Sequence, residues 1–167
     1  MSGNDHPLIE CYIPPGHIHL ADEAALIWTV LGSCVLVALW DSRKMFGGVS
    51  HFLYPFTADK RKATIQYGNV AVRHLVKMML DKGAKKENLK AQLFGGARSN
   101  SKECSRIARE NLQMVRMVLK SYQIEIISED TGGTMGRKIV YNTQRNEAIV
   151  YKVNAIRLSD WYPYDYE

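Results

Sequence analysis

"LGSCVLVALWDSRKMFGGVSHFLYP", Leu31 to Pro55, decides the fold of this chain, because it reads as two buried strands joined at the turn formers Asp41 and Ser42. Inside the apolar run sit one cysteine, Cys34, and one histidine, His51. Taken singly, a free cysteine is a common core residue and a lone histidine often packs and hydrogen-bonds in a core. Their spacing raises a second reading. A two-residue turn centred on Ser42–Arg43 sets Asp41 opposite Lys44. The same register predicts Cys34 directly across from His51, with Cβ atoms roughly 4.5–5.5 Å apart on one face.

That separation suits a nucleophile and its base. The thiolate is the reactive form of cysteine, and a neighbouring imidazolium lowers the thiol pKa. Gly32-Ser33, just before the cysteine, can turn tightly and aim backbone N–H groups at an oxyanion. Gly47-Gly48 and Gly95-Gly96 remove side chains where a substrate segment would approach. Each of these glycines also fits a plain turn or bulge.

Outward from this stretch the chain reads as α+β. "PPGHIHLA" (Pro14–Ala21) is a turn and short strand, and "LIWTVLGS" (Leu26–Ser33) is a strand breaking at Gly32. Residues 57–66 form a polar, basic loop. From Tyr67 the period changes: Val70, Ala71, His74, Leu75, Met78 and Met79 predict a helix stopping at Lys82-Gly83. "KAQLFGGA" (Lys90–Ala97) is a strand, and Ile107, Ala108, Leu112, Val115, Val118 and Leu119 mark a second helix over 102–122. Three further strands fit "IEIISEDTGG", "RKIVYN" and "AIVYKV".

The 167 residues suit one domain with a real core, and 46% hydrophobic with 23% charged residues is an ordinary globular composition. No stretch is apolar enough for a membrane span, and the start lacks a signal-peptide pattern, so a cytoplasmic protein is expected. Three cysteines, Cys11, Cys34 and Cys104, are odd in number and far apart, which argues for free thiols. The formal charge of +5 is scattered, with no basic stripe interleaved with aromatics, so nucleic acid is not the expected partner. Cys11, His17 and His19 lack the paired ligands of a structural zinc site, and no metal is expected. Asp130 before Gly132-Gly133 reads as a turn former rather than a partner for a histidine.

The motifs "TVLGSCVLVALWD", "GGVSHFLYP", "LFGGA", "ENLQMV" and "DTGG-x-x-GRKIVYN" occur in the order found in the CheD family of chemoreceptor glutamine deamidases, which the chain resembles from about Pro14 to Lys152. The resemblance implies one CheD-like domain over residues 1–167, its core about 14–152, with mixed and antiparallel sheets packed with two main helices. It also implies a distant likeness in fold to the catalytic domains of cytotoxic necrotizing factor toxins. The implied activity is a cofactor-free thiol hydrolase converting receptor glutamines to glutamate, with Cys34 as nucleophile, His51 as base and Thr29 orienting the histidine. Gly32, Ser33, Gly95 and Gly96 fall to oxyanion or substrate binding. The implied partners are the cytoplasmic domains of methyl-accepting chemoreceptors, as substrate, and a CheC-type phosphatase. A regulatory binding module and another thiol-dependent amide or ester hydrolase stay open as alternatives. Ile107-Ala108 and Arg145-Asn146-Glu147 depart from the family pattern, and the acidic end "DWYPYDYE" has no counterpart in it.

Overall fold

A computed structural model of the chain describes residues 8–156, so the acidic, Tyr-rich end lies outside the described residues. The elements run β1 (Ile9–Tyr12), β2 (His17–Leu20), β3 (Ala25–Leu31), β4 (Val35–Asp41), β5 (Phe46–Phe52), α1 (Gly68–Asp81), β6 (Leu89–Gly95), α2 (Lys102–Ser121), β7 (Glu125–Thr131), β8 (Gly136–Asn142) and β9 (Glu147–Val153). Two mixed sheets result. One has the order β1-β3-β8-β9 and the other β2-β5-β4-β6-β7. The α+β expectation holds, with both helices near their predicted bounds.

The run Val35–Leu39 is apolar at every position because β4 is central and covered on both faces. Val35, Val37 and Leu39 pack with Ala71, Leu75 and Met79 of α1 and Val115 and Leu119 of α2. Leu36 and Ala38 face the other way and pack with Ile27, Ile139 and Tyr141 of the four-stranded sheet. The order of layers is therefore helices, five-stranded sheet, four-stranded sheet. Each fully buried aliphatic contributes roughly 1.5–3 kcal/mol, so the layers are held by many comparable increments. Local signals agree with this packing. Ser101 caps α2 by accepting the N–H of Cys104, 3.2 Å away, and the Gly83 N–H closes α1 on the Leu80 carbonyl at 2.9 Å.

The hairpin register differs from the predicted one. Asp41 pairs with Phe46 and Leu36 with His51, so the pairing is displaced by two residues from a Cys34–His51 pair. The cause is the turn. Buried Asp41 accepts the N–H groups of Arg43 and Lys44, each at 2.8 Å, and Met45 takes φ 59° while its N–H bonds to the Asp41 carbonyl at 2.8 Å. This makes a four-residue loop, Ser42–Met45, where a two-residue turn was expected. Side chains alternate with a period of two, so a displacement by two leaves Cys34 and His51 on the same face. Cys34 sits one residue before β4 begins, diagonal to the histidine rather than opposite it.

Candidate active site

His51 lies on the face of β5 that meets the four-stranded sheet, and it is fully buried. There β3 supplies Thr29, whose Oγ1 is 2.9 Å from His51 Nδ1 and 2.6 Å from the Ile13 carbonyl oxygen. A hydroxyl has one proton to give. Thr29 donates it to the Ile13 carbonyl, which can only accept, so the Thr29 oxygen must accept from His51, and the hydrogen of the neutral ring sits on Nδ1. Nε2 is left with its lone pair, buried and without a hydrogen-bond partner among the described residues. A hydroxyl and a backbone carbonyl thus fix the tautomer, the task a carboxylate has in the Ser-His-Asp arrangement.

Cys34 is half-buried and is a free thiol. Its turn is pinned through three successive carbonyls. Gly32 accepts from the Ala97 N–H at 2.9 Å, Ser33 from Asn111 Nδ2 at 3.0 Å, and Cys34 from the Gly96 N–H at 2.9 Å. Among the described residues, the N–H of Ser33 donates to no backbone carbonyl, and that of Cys34 lies against its own thiol.

The Gly95-Gly96 pair has a nearer neighbour than a substrate. Gly95 has φ +104°, and a β-carbon there would lie 2.3 Å from the Cys34 carbonyl oxygen; at Gly96 it would lie 2.8 Å from Leu112. These glycines seat the cysteine turn against β6. Arg137, 3% exposed, holds the adjoining loop by donating to Asp130 Oδ1 at 2.9 Å and to the Gly132 carbonyl at 3.0 Å. Asp130 is engaged there and not with a histidine. Gly47-Gly48 fill a similar need in β5, where a β-carbon would meet the Leu39 carbonyl at 2.8 Å or the His19 carbonyl at 2.9 Å. Cys11 lies on β1 and His17 and His19 on β2, which belong to different sheets.

Electrostatics corrects one expectation. Burial lowers the His51 pKa to about 4, partly opposed by the Ile13 carbonyl and assisted by His17. Burial also pushes the Cys34 thiol up to about 11, partly offset by its own backbone N–H. Desolvation disfavours both charged forms, so the resting pair is a neutral thiol and a neutral imidazole, not the expected thiolate and imidazolium.

Three contributors escape a reading of the sequence. The Ile13 carbonyl is a backbone group and leaves no side-chain signal. Asn111 and Arg137 do leave one, being polar residues within apolar patterns, Ala108-x-x-Asn-Leu on α2 and Arg-Lys-Ile-Val-Tyr on β8.

A free thiol with a bare imidazole nitrogen on the same face is a pair of groups that thiol-dependent hydrolases use. Comparison with known proteins narrows the class. The family model described as CheD chemotactic sensory transduction matches residues 53–152. A probable chemoreceptor glutamine deamidase CheD of Trichlorobacter lovleyi is 40% identical over 139 residues, covering 82% of this chain and 86% of that protein. Proteins of the same description from Sulfurimonas denitrificans and Anaeromyxobacter dehalogenans are 36% and 35% identical, covering 77% and 84% of this chain and 84% and 83% of theirs. The chain belongs to the CheD family.

Proposed function

We propose that this chain is a chemoreceptor glutamine deamidase, hydrolysing glutamine side-chain amides on the cytoplasmic part of methyl-accepting receptors to glutamate and ammonia. The observation that carries the reading is the bare Nε2 of His51, held as an acceptor by the Thr29–Ile13 relay on the same face as Cys34. The relatives' shared description supplies the substrate class.

In this mechanism Nε2 takes the thiol proton as sulfur attacks the carboxamide carbon. With the thiol at about 11 and the imidazole at about 4, transfer before substrate arrives is unfavourable, so deprotonation and attack are coupled. The N–H groups of the Gly32–Cys34 turn receive the oxyanion. The tetrahedral adduct collapses as His51 returns the proton to the leaving nitrogen, giving ammonia and a thioester. His51 then removes a proton from water, the resulting hydroxide attacks the thioester, and sulfur departs and regains the proton. The carboxylic acid so formed gives its proton to ammonia, so the net change is one water consumed, one ammonium released and one neutral side chain converted into an anion, a charge that alters receptor packing and offers a carboxylate for methylation.

The reading treats residues 1–167 as one CheD-like domain acting in the cytoplasm, with a CheC-type phosphatase as regulatory partner. Among the described residues no helix is long and apolar enough to cross a membrane. The test is to incubate the protein with receptor cytoplasmic domains from the same organism and map glutamine-to-glutamate conversion by mass spectrometry. Conversion that disappears in folded Cys34→Ser protein supports the proposal. Conversion that persists in that variant, or no conversion by the wild type, overturns it.

A further inference from the structure

One buried side chain outside the reacting pair touches both halves of the site. Asn111 is fully buried on α2, in the stripe of Ala108, Leu112 and Val115. Its Nδ2 donates to the Ser33 carbonyl at 3.0 Å and to the Leu53 carbonyl at 2.9 Å. The two carbonyls fix the orientation of the amide, because turned over its oxygen would face two acceptors with no hydrogen between them. Ser33 immediately precedes Cys34, and Leu53 follows His51 by two residues. The ladder between β4 and β5 ends at Val35 and Phe52. Past that pair the cysteine turn and the histidine strand part, and the carboxamide of Asn111 spans the opening. Its Oδ1 is buried with no hydrogen-bond partner among the described residues, so both of the amide's hydrogen bonds are the donations to these two carbonyls.

We propose that Asn111 is a positioning residue, whose carboxamide sets the separation of the Cys34 turn and the His51 strand beyond the end of their ladder. The proposal rests on Cys34 and His51 being the reacting pair. It makes α2 part of the catalytic frame, since the helix determines how the sulfur meets Nε2.

Three variants test this. Asn111→Leu removes both donors, Asn111→Ser keeps one short donor, and Asn111→Asp keeps the shape while setting a carboxylate against two carbonyls. Gln92→Leu is the control, because Gln92 is a mostly buried amide that donates to the Asn146 carbonyl and side-chain oxygen at the β8–β9 turn, each at 2.8 Å. Asn111→Leu should lower kcat for receptor glutamine on the order of 100-fold with KM little changed, and Asn111→Ser should lower it less. The Asn111→Asp deficit should narrow as pH falls, since the protonated acid regains one donor. Gln92→Leu should lose thermal stability and keep its kcat. Equal kcat per folded molecule in Asn111→Leu and Gln92→Leu overturns the proposal. So does failure of all three Asn111 variants to fold, which would make the residue an anchor of the fold alone. If the wild type deamidates nothing, the functional reading fails by itself. Asn111 is then judged on the alkylation rate of Cys34 relative to Cys104, which should change by about threefold or more in Asn111→Leu and stay constant in Gln92→Leu.

Discussion

Gly95 comes so close to Cys34 that a single methyl group would separate them: a β-carbon at Gly95 would stand 2.3 Å from the Cys34 carbonyl oxygen, far inside contact distance. Gly95→Ala must therefore push the cysteine turn off β6, and the Gly96 N–H bond to the Cys34 carbonyl goes with it. Gly132→Ala is the comparison, because Gly132 also has positive φ, +75°, yet a β-carbon there meets nothing within 4 Å. Gly132→Ala should cost about 1–2 kcal/mol of stability from backbone strain and leave kcat close to wild type. Gly95→Ala should cost more and lower kcat on the order of 100-fold. Thermal unfolding and receptor deamidation assays check both.

Thr29→Val should separate the hydroxyl of Thr29 from its shape. The substitution leaves the Ile13 carbonyl and the His51 Nδ1–H unpaired inside the protein, at about 1–3 kcal/mol for each group. The tautomer is then no longer specified, and kcat should fall about 100-fold or more, in the direction seen when a triad loses the group that orients its histidine. Nitrogen NMR of the ring reads the tautomer. Wild type should show hydrogen on Nδ1, Thr29→Ser should retain it, and Thr29→Val should show a mixture. A wild-type ring protonated on Nε2 would contradict the relay.

Stability should decline in mild acid because of His51. In the folded protein its pKa is about 4, against 6.5 for a free side chain. Below pH 6.5 the unfolded chain gains a proton that the folded protein refuses, so the unfolded state is favoured progressively as pH falls to about 4. The contribution lost across that window is on the order of 3 kcal/mol. His51→Gln should flatten the profile between pH 6.5 and 4, measured by urea unfolding. An unchanged slope in the variant would rule out His51 as its source.

Alkylation should report the resting state of the thiol. With Cys34 pushed up to about 11, iodoacetamide at pH 7 should label it more slowly than exposed Cys104, and its rate should keep climbing with pH toward that value. Rapid labelling of Cys34 at neutral pH would mean that thiolate and imidazolium already exist in the resting protein. Cys34→Ala should abolish deamidation, and adding His51→Ala should make nothing worse, because the two groups act as a unit.

The class of fold and the nearness of Cys34 to His51 are legible because they rest on strong local signals. An unbroken apolar run marks the central strand β4, the three- and four-residue period marks α1 and α2, and Cys34 and His51 flank one hairpin. The pairing differs from the one a two-residue turn predicts because Asp41 gathers two N–H groups and Met45 accepts a left-handed conformation. Neither a side-chain cap nor a positive φ at methionine announces itself in a row of letters. β1 has no turn signal for a related reason: it pairs in parallel with β3, so its partner is found across a crossover rather than a turn. Asn111 stood in view within its motif, but only the folded chain shows which two carbonyls it joins.

The turn at Asp41 lies at the opposite end of the hairpin from the thiol, joined to it by seven paired positions. It also reaches the loop before β6, where Asp41 Oδ2 accepts the Lys85 N–H at 3.2 Å. Changes of length at this turn are consequently constrained by parity. One inserted residue, if absorbed by slipping the register, would turn His51 from the inter-sheet space toward the helices and part it from both Thr29 and Cys34. Two would restore the facing but slide the imidazole along β4 by about 6.8 Å, two residues of strand rise. Neither outcome keeps the site, so an insertion at this loop, far along the hairpin from the chemistry, is compatible with the site only when the loop itself takes it up and the ladder stays in register.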